Sequence, residues 1–259
     1  MATEKLLVTL KDGIKRITFN CPERRNAVEF ETMKLFHDAI HESIKDESRV
    51  VIVTGAGDAF CSGADLRART PENIRTYDVS EALRVNTNTT ILAMRGLPKP
   101  VIARVHGPAA GIGCNYALAC DIRIASEQAR FGEVFIKIGL MPDGGGTFFL
   151  PRLVGYAKAF ELMATGDVIG AREALALGLV NRVVPVQELD SAVDSLAERL
   201  AASPALALGK IKQALNRDEL ACLESALEFE AVNQGDCFRS ADFLEGVSAF
   251  LEKRPPKFR

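Results

Sequence analysis

Residues 101–155 contain the residue types that could perform acid/base chemistry. Their first half, VIARVHGPAAGIGCNYALACDIRIAS, leads from a β-branched run through a glycine-rich turn into a helix of small residues. Their second half, FGEVFIKIGLMPDGGGTFFLPRLVG, contains an apolar run that ends in one carboxylate, Asp143, followed by three glycines. Free backbone N–H groups at a helix start can bind an oxyanion, and a carboxylate beside apolar residues suits proton transfer at neutral pH. The stretch therefore predicts a site that stabilises an oxyanion while Asp143 moves a proton.

Asp143 has a second interpretation, because Asp before Gly is a favourable N-cap for a following helix. The glycines likewise have a purely structural interpretation as tight turns and close helix contacts. We favour the acid/base role for Asp143 because its sequence neighbours Phe135, Ile138, Leu140 and Met141 are apolar. Apolar surroundings raise the pKa of a carboxyl group toward the range of a general base.

Hydrophobic periodicity predicts the elements that must carry this site. LLVTL and IKRITF, on either side of Asp12-Gly13, predict a β-hairpin. Residues 28–45 have apolar positions at helical spacing, and VVIVT (50–54), VIARV (101–105) and DIRIAS (121–126) predict short strands. Strands that alternate with helices and are followed by an all-helical end indicate the α/β class.

The other segments are predicted to be mainly helical. Residues 67–92 are polar without clear periodicity, which suits a lid at the surface. AREALALGLV predicts a short helix closed by Gly178 in the C′ position. Residues 189–253 predict successive helices with breaks at Ser203-Pro204 and around Gly235.

Composition excludes several function classes. The 32 basic and 34 acidic residues nearly cancel, which argues against a nucleic-acid or membrane-surface partner. No apolar run is long enough to span a bilayer, and the N-terminus lacks a signal-peptide core. The six cysteines form no CxxC pair, so we expect no zinc site, no disulfide framework and a cytoplasmic location. His37 and His41 lack a third metal ligand and are predicted to be surface residues, whereas His106 is predicted to be structural.

Six blocks of the sequence, in order, resemble the crotonase superfamily of enoyl-CoA hydratases and isomerases. The blocks are NCPERRNAV (20–28), VIVTGAGDAFCSGADL (51–66), HGPAAGIGC (106–114), LPRLVG (150–155), AREALALGLVNRVV (171–184) and SAFLEKRPPKF (248–258). The resemblance implies a spiral of ββα units with an acyl-CoA site over residues 1–188. It also implies a helical oligomerisation region over residues 189–259 and a homo-trimer or a dimer of trimers.

The resemblance also implies roles for individual residues. In the family, the thioester carbonyl oxygen lies between two backbone N–H groups, which correspond here to those of Ala64 and Ile112. Other positions resemble the family's edge that binds the coenzyme A nucleotide: Arg24, Arg25, Ala27, Asp65, Leu66 and Arg67. Lys253 and Arg254, at the end of the last helix, are expected to add positive charge to this edge, either within the chain or across a subunit interface. Cations at a helix C-terminus are also favourable for dipole reasons alone.

Two positions depart from the family's hydratases, which carry a pair of glutamates. Those positions hold Asn115 and Phe135 here, and neither side chain can exchange a proton with water. Asn115 is expected either to bind substrate or a water, or to satisfy a buried backbone group, and Phe135 to line the substrate site. Glu133, two residues before Phe135, is predicted to be a surface carboxylate. A two-glutamate hydration mechanism is therefore disfavoured.

The motif GLMPDGGGT most resembles isomerases of phenylacetate-type ring degradation and fatty-acid oxidation that use one aspartate. We therefore expect an enoyl-CoA isomerase in which Asp143 shifts a double bond. The alternatives are an enoyl-CoA hydratase, a thioester hydrolase or dehalogenase with Asp143 as nucleophile, and a catalytically silent acyl-CoA-binding or RNA-binding homologue. A GxGxxG fingerprint is absent, so no cofactor is expected beyond the coenzyme A of the substrate.

Overall fold

The computed structural model describes residues 4–68, 74 and 76–258, whose strands form two sheets. The larger sheet consists, in spatial order, of β1 (Leu6–Lys11), β2 (Ile14–Phe19), β3 (Val50–Gly55), β4 (Val101–Val105), β6 (Ile122–Ser126) and β9 (Arg182–Val184). Strands β1 and β2 are antiparallel, and the later pairs are parallel. The smaller sheet consists of β5 (Pro108–Ala110), β7 (Arg130–Gly132) and β8 (Val168–Gly170).

The predicted hairpin and short strands are confirmed. Leu6 pairs with Phe19 and Lys11 with Ile14, so the turn consists of Asp12 and Gly13. Both turn residues have positive φ, as the mirror-image turns that join twisted strands require. The alternation of side chains along β3 sends Val51 and Val53 into the main core and Val50 and Ile52 to the opposite face.

Helices cover both faces of the large sheet. In chain order they are α1 (Phe30–Glu42), α2 (Val79–Ala82), α3 (Thr89–Gly96), α4 (Ile112–Ala119), α5 (Gly146–Val154), α6 (Tyr156–Thr165), α7 (Ala171–Ala176), α8 (Leu189–Ala201), α9 (Ala205–Asn216), α10 (Glu219–Phe238) and α11 (Ala241–Glu252). Short 3-10 turns lie at Leu66–Ala68 and Val134–Ile138. The α/β class predicted from the sequence is confirmed.

The first helix after residue 188 packs directly on the large sheet. Helix α8 covers the second face of the large sheet, where Leu189, Val193 and Ala197 pack against Ile52 and Ile102. The division at residue 188 stays a prediction. In the structure, the first helix beyond it completes the hydrophobic core of the sheet.

Three local predictions were wrong. Residues 83–92, the last part of the predicted surface lid, form a π-helical turn (Leu83–Asn88) and the first half of α3, because Leu83 and Ile91 are buried. Residues 69–73 and 75 of the predicted lid lie outside the described residues. The helical region does not break near Gly235, since α10 continues to Phe238, and an unpredicted break follows Asn216.

The third error concerns the histidine pair. His37 and His41 are half-buried rather than at the surface, because their rings stack with centroids 4.1 Å apart. The Nδ1 atom of His37 also lies 3.2 Å from the hydroxyl groups of Thr89 and Thr90. The pair therefore joins α1 to α3.

Candidate active site

A largely apolar cavity of about 270 Å³ opens between the ends of the two sheets and the C-terminal helices. Its apolar wall consists of Phe30, Met33, Leu66, Tyr77, Val79, Ala82, Leu83, Ile112, Val134, Phe135, Ile138, Leu140, Phe238, Phe243 and Phe250. Its polar lining consists of Ser62, Asn86, Thr87, Lys137, Asp143 and Gln234. Among the described residues, Asp143 is thus the one carboxylate that lines the cavity.

Ala64 lines this cavity and has a free backbone N–H among the described residues. Ala64 pairs with Val28 in a parallel bridge, in which Val28 N donates to Gly63 O at 2.8 Å and Asp65 N donates to Val28 O at 2.9 Å. In such a bridge the hydrogen bonds to Val28 are made by Gly63 and Asp65, the two neighbours of Ala64. The N–H of Ala64 itself therefore points away from Val28. No acceptor for this N–H lies among the described residues, and Ala64 lines the cavity.

The backbone N–H of Ile112 is the second free donor. Ile112 is the first residue of α4, so its N–H has no partner within the helix. A Cβ atom on Gly113 would lie 2.2 Å from the carbonyl oxygen of Cys61, so only glycine allows α4 to approach the Cys61–Ala64 segment this closely. This contact brings the segment that carries Ala64 beside the start of α4, as an oxyanion hole requires.

Asp143 lies in the cavity wall and is 8% exposed. Its Oδ2 atom accepts a hydrogen bond of 2.9 Å from Nε2 of Gln234. Removal from water raises the pKa of Asp143 to about 6, and the Gln234 hydrogen bond partly opposes that rise. A carboxyl with this pKa is ionised at neutral pH and is still basic enough to accept a proton.

The alternative role of Asp143 as an N-cap is wrong. The N-cap position of α5 is occupied by Gly145, and the Asp143 side chain makes no capping bond. Glu230 of α10 binds the helix start instead, accepting from Gly145 N at 2.7 Å and from Thr147 N at 2.9 Å. The Asp143 carboxyl is therefore available to the cavity.

Sequence reasoning missed Glu230 and Gln234, which are both fully buried. The signal was present in α10, where the buried positions Leu223, Leu227, Glu230 and Gln234 follow one helical stripe. Two polar residues on an otherwise apolar stripe indicate buried hydrogen-bonding partners. Those partners lie far away in the chain, around Asp143, and no local pattern identifies them.

Phe135 lines the cavity as predicted from the resemblance, whereas Asn115 does not. Asn115 is fully buried on α4, and its Nδ2 donates to the carbonyl oxygen of Asp143 at 2.7 Å and to Glu133 at 3.3 Å. Of the two roles considered, Asn115 therefore satisfies a buried backbone group, and its assignment to substrate binding is corrected.

The prediction of a surface position for Glu133 was wrong. The residue is 2% exposed, and its Oε1 atom has no hydrogen-bond partner among the described residues. Burial, followed by the charges of Glu230 and Asp143, raises the pKa of Glu133 to about 8, although hydrogen bonds from Asn115 and Cys114 oppose the rise. Glu133 lies behind α4, outside the residues that line the cavity.

With this geometry established, comparison with known proteins decides the family. The model of the enoyl-CoA hydratase/isomerase family matches residues 9–259. The chain belongs to the enoyl-CoA hydratase/isomerase family. The sequence-based assignment to the crotonase superfamily is thereby confirmed.

Relatives in this family carry both kinds of name. The chain is 39% identical over 258 residues to a "Probable enoyl-CoA hydratase" of Rhodobacter capsulatus, covering 100% of this chain and 99% of the relative. It is 38% identical over 257 residues to the "1,2-epoxyphenylacetyl-CoA isomerase" of Escherichia coli, covering 98% of each. A crystal structure of an enoyl-CoA hydratase from Mycobacterium avium subsp. paratuberculosis superimposes with a TM-score of 0.91 at 38% identity over 100% of both chains.

The residues that resemble the family's nucleotide edge form a charged cluster beside the cavity mouth. Asp65 accepts hydrogen bonds of 3.0 Å from Nε and Nη2 of Arg67 and one of 3.1 Å from Arg24. Burial opposes ionisation of Asp65, but these bonds outweigh it and lower its pKa. Leu66 lines the cavity, and the exposed Arg25 has a positive φ in the turn before Ala27.

The last helix of this family member packs on its own chain. Phe243 and Phe250 of α11 line the cavity, and α11 contacts the Leu66–Ala68 turn. Lys253 ends α11 as an exposed residue with positive φ, while Arg254 pairs with Glu245. Within this chain, Lys253 follows a helix that lines the cavity, and its contribution across a subunit interface stays a prediction.

Metal clusters and membrane-spanning helices are both missing from the described part of the chain. There, no three His, Cys, Asp or Glu side chains are grouped so that they could hold a metal ion. Within the same residues, none of the helices has the length and apolar character needed to cross a membrane.

Buried Glu133 makes stability depend on pH. The pKa of Glu133 is about 8 in the folded protein, against an ordinary value of 4.5 for a glutamate in water, so the folded state holds a proton that the unfolded state loses between these values. Stability contributed by this group is present below about pH 4.5 and falls as pH rises to about 8. We expect Glu133→Gln to raise the free energy of unfolding by about 1–3 kcal/mol at pH 8 and by much less at pH 5.

Urea denaturation at both pH values measures this difference. The exposed Glu127→Gln is the matched control, since it removes a carboxylate that water already solvates. Equal changes for the two variants at pH 8 would contradict the buried, protonated state of Glu133. Asp143 and Glu230 also have raised pKa values of about 6 and 7, so part of the pH dependence will remain in Glu133→Gln.

Proposed function

We propose that this family member is an enoyl-CoA isomerase that shifts a carbon–carbon double bond, with Asp143 as its single acid/base. The observation that carries the proposal is the composition of the cavity wall. Among the described residues, Asp143 is the one carboxylate in that wall, which it shares with the apolar side chains of Phe135, Ile138 and Leu140. A 1,3 shift needs one group that removes a proton and returns it, whereas hydration also needs a group that activates water.

The reaction proceeds through an enolate. The Asp143 carboxylate removes a proton from the substrate carbon, and the electron pair delocalises onto the thioester oxygen. The N–H groups of Ala64 and Ile112 bind that oxygen as negative charge develops, and each such donor contributes roughly 10²–10³ in rate. Asp143 then returns the proton two carbons away, which leaves the substrate composition unchanged and the double bond displaced.

Hydration is the competing function, and the hydratase names among the relatives favour it. Several observations weigh against it. Phe135 presents a phenyl ring to the cavity, Asn115 is engaged with the backbone of Asp143, and Glu133 lies outside the cavity lining. No second carboxylate therefore reaches the cavity from the described residues to position a water.

Coenzyme A would bind along the charged edge. We assign its phosphates to Arg24, Arg25, Arg67 and Lys253, which lie at the surface or carry their charged groups there. Asp65 then acts by holding the guanidinium groups of Arg24 and Arg67, rather than by touching the anion. The assignment of Ala27 and Leu66 to the nucleotide, a cytoplasmic location, the absence of a further cofactor and the absence of a nucleic-acid partner stay predictions.

Removing the base should abolish turnover and preserve binding. Asp143→Asn retains the size of the side chain but loses proton transfer, so we expect isomerisation to fall at least ~10³-fold with the Kd for an acyl-CoA within about tenfold. Quenched reactions analysed for double-bond position measure the isomerisation rate, and calorimetric titration measures the Kd. Glu133→Gln is the control, since it replaces a buried carboxyl group that lies outside the cavity lining. More than a few per cent of wild-type turnover in Asp143→Asn would assign the chemistry to another residue.

Mass spectrometry in heavy water distinguishes isomerase from hydratase. An isomerase exchanges substrate protons for deuterons without adding water, whereas a hydratase adds the mass of one full water molecule. We expect deuterium incorporation into crotonyl-CoA or a longer enoyl-CoA. We expect hydration of the same substrate to be slower than this exchange by ~10³-fold or more, since the general base for water is missing. Rapid formation of the hydrated product by the unmodified protein would refute the isomerase assignment.

We further propose that the chain forms a homo-trimer or a dimer of trimers. Helices α9 and α10 expose large apolar side chains: Leu206, Ile211, Leu215, Phe229 and Val232. Leu206 and Leu215 are 78% and 74% exposed, which is unfavourable unless another subunit covers them.

Light scattering at micromolar concentration tests the assembly. We expect a mass of three or six times the 28.1 kDa chain. Leu206→Glu together with Leu215→Glu should shift the protein toward smaller species, because charges would enter an apolar interface. The matched control replaces two exposed lysines of other surfaces, Lys11→Glu and Lys45→Glu. A single 28.1 kDa species for the unmodified chain would contradict the proposal.

A further inference from the structure

Two buried side chains of α10 hold the segment that carries Asp143. Residues 141–145 form no helix or strand, and Gly144 and Gly145 both have positive φ. Glu230 accepts hydrogen bonds from Gly145 N, Thr147 N and Thr147 Oγ1. Gln234, one helical turn later, binds Met141 and Asp143. The position of this segment therefore depends on a helix that begins more than seventy residues further along the chain.

The orientation of the Gln234 amide is determined by its partners. Its Oε1 accepts from Met141 N at 3.3 Å, and its Nε2 donates to Met141 O at 2.8 Å. A flipped amide would place donor against donor and acceptor against acceptor at Met141. The pair of bonds to Met141 therefore presents Nε2, a donor, to the Asp143 carboxyl at 2.9 Å.

The two oxygens of Asp143 are consequently different. Oδ2 accepts the Gln234 hydrogen bond, while Oδ1 accepts none from the described residues and belongs to a side chain in the cavity wall. A proton on Oδ2 would face the N–H of Gln234 and lose that bond. A proton on Oδ1 keeps it.

We propose that Gln234 is the positioning residue of Asp143: its amide fixes the orientation of the carboxyl group and makes Oδ1 the oxygen that carries the transferred proton. The inference rests on the proposed function of Asp143 as acid/base. Gln234 also lines the cavity, but its hydrogen-bonding groups are engaged by the protein, so it acts through Asp143.

The titration of Asp143 reports this interaction. Burial raises the pKa of Asp143, and the Gln234 donor is the group that lowers it. Other groups that interact electrostatically with Asp143 are Glu230 of α10, Glu133 after β7 and Tyr116 of α4. These three stay in place when Gln234 is changed. Loss of the amide should therefore move the pKa of Asp143 upward.

Gln234→Met tests the inference, because methionine has a similar length and no amide donor. Asn233→Ala is the matched control, since Asn233 is the preceding residue and its amide binds only Phe229 O in its own helix. Three measurements are made on each protein: the pH dependence of kcat for isomerisation, KM, and the ¹³C NMR titration of labelled aspartate, with Asp143 assigned from Asp143→Asn. Thermal unfolding establishes that each variant is folded, and Gln234→Ala replaces the methionine variant if that one is not.

In Gln234→Met we expect the Asp143 titration and the acid limb of kcat to move up by about 0.5–1 pH unit. We expect kcat at its plateau to fall about 10–100-fold and KM to stay within threefold, because orientation is lost while binding remains. Asn233→Ala should match the wild type. A purely structural role would lower thermal stability and leave both titrations unmoved.

The two hypotheses fail in different ways. If the NMR titration of Asp143 stays within 0.2 pH units of wild type in Gln234→Met, the positioning role of Gln234 is overturned, whatever the activity. If the titration shifts and kcat keeps its wild-type pH profile, Gln234 positions the carboxyl as inferred. In that case Asp143 is not the base of the reaction, and the proposed function is overturned.

Discussion

The site depends on the burial of one carboxyl group in an apolar wall. Water would keep the pKa of Asp143 low, whereas burial raises it to about 6, a value that suits the acid/base role proposed for the group. A buried carboxylate is costly unless hydrogen bonds satisfy it. Here the amide of Gln234 supplies that bond, and Asn115 holds the backbone carbonyl of the same residue. The position of Asp143 is therefore fixed from two sides, by α4 and by α10.

The proposed oxyanion site, formed by the N–H groups of Ala64 and Ile112, depends on close backbone packing. Because Gly113 has no Cβ, the start of α4 can lie against the carbonyl oxygen of Cys61, and this contact places the Ile112 and Ala64 segments side by side. Aromatic packing anchors α4 in the core. The ring of Tyr116, on α4, packs against the rings of Phe19 and Phe36 at centroid distances of 5.9 and 4.9 Å. Rigid packing of this kind pre-organises amide donors for a developing negative charge.

The C-terminal helices complete the site as well as the sheet. Helix α8 covers the second face of the large sheet, α10 supplies Glu230 and Gln234, and α11 closes the cavity with Phe243 and Phe250. The C-terminal helices, which expose apolar side chains at the surface, thus also line the cavity of their own chain. Assembly through α9 and α10 would place subunit contacts on the same helix that holds the base, because α10 exposes Phe229 beside the buried Glu230.

Local sequence determined the hairpin, the short strands, the α/β class and the candidate base, because periodicity, turn residues and an apolar context are properties of neighbouring residues. Only the tertiary structure decided that Glu133 is buried and that Asn115 binds backbone. It also decided that Gln234 reaches Asp143, a contact between residues 91 positions apart. Burial and hydrogen-bond partners of this kind arise when distant segments pack together, and the chain carries no local pattern for them.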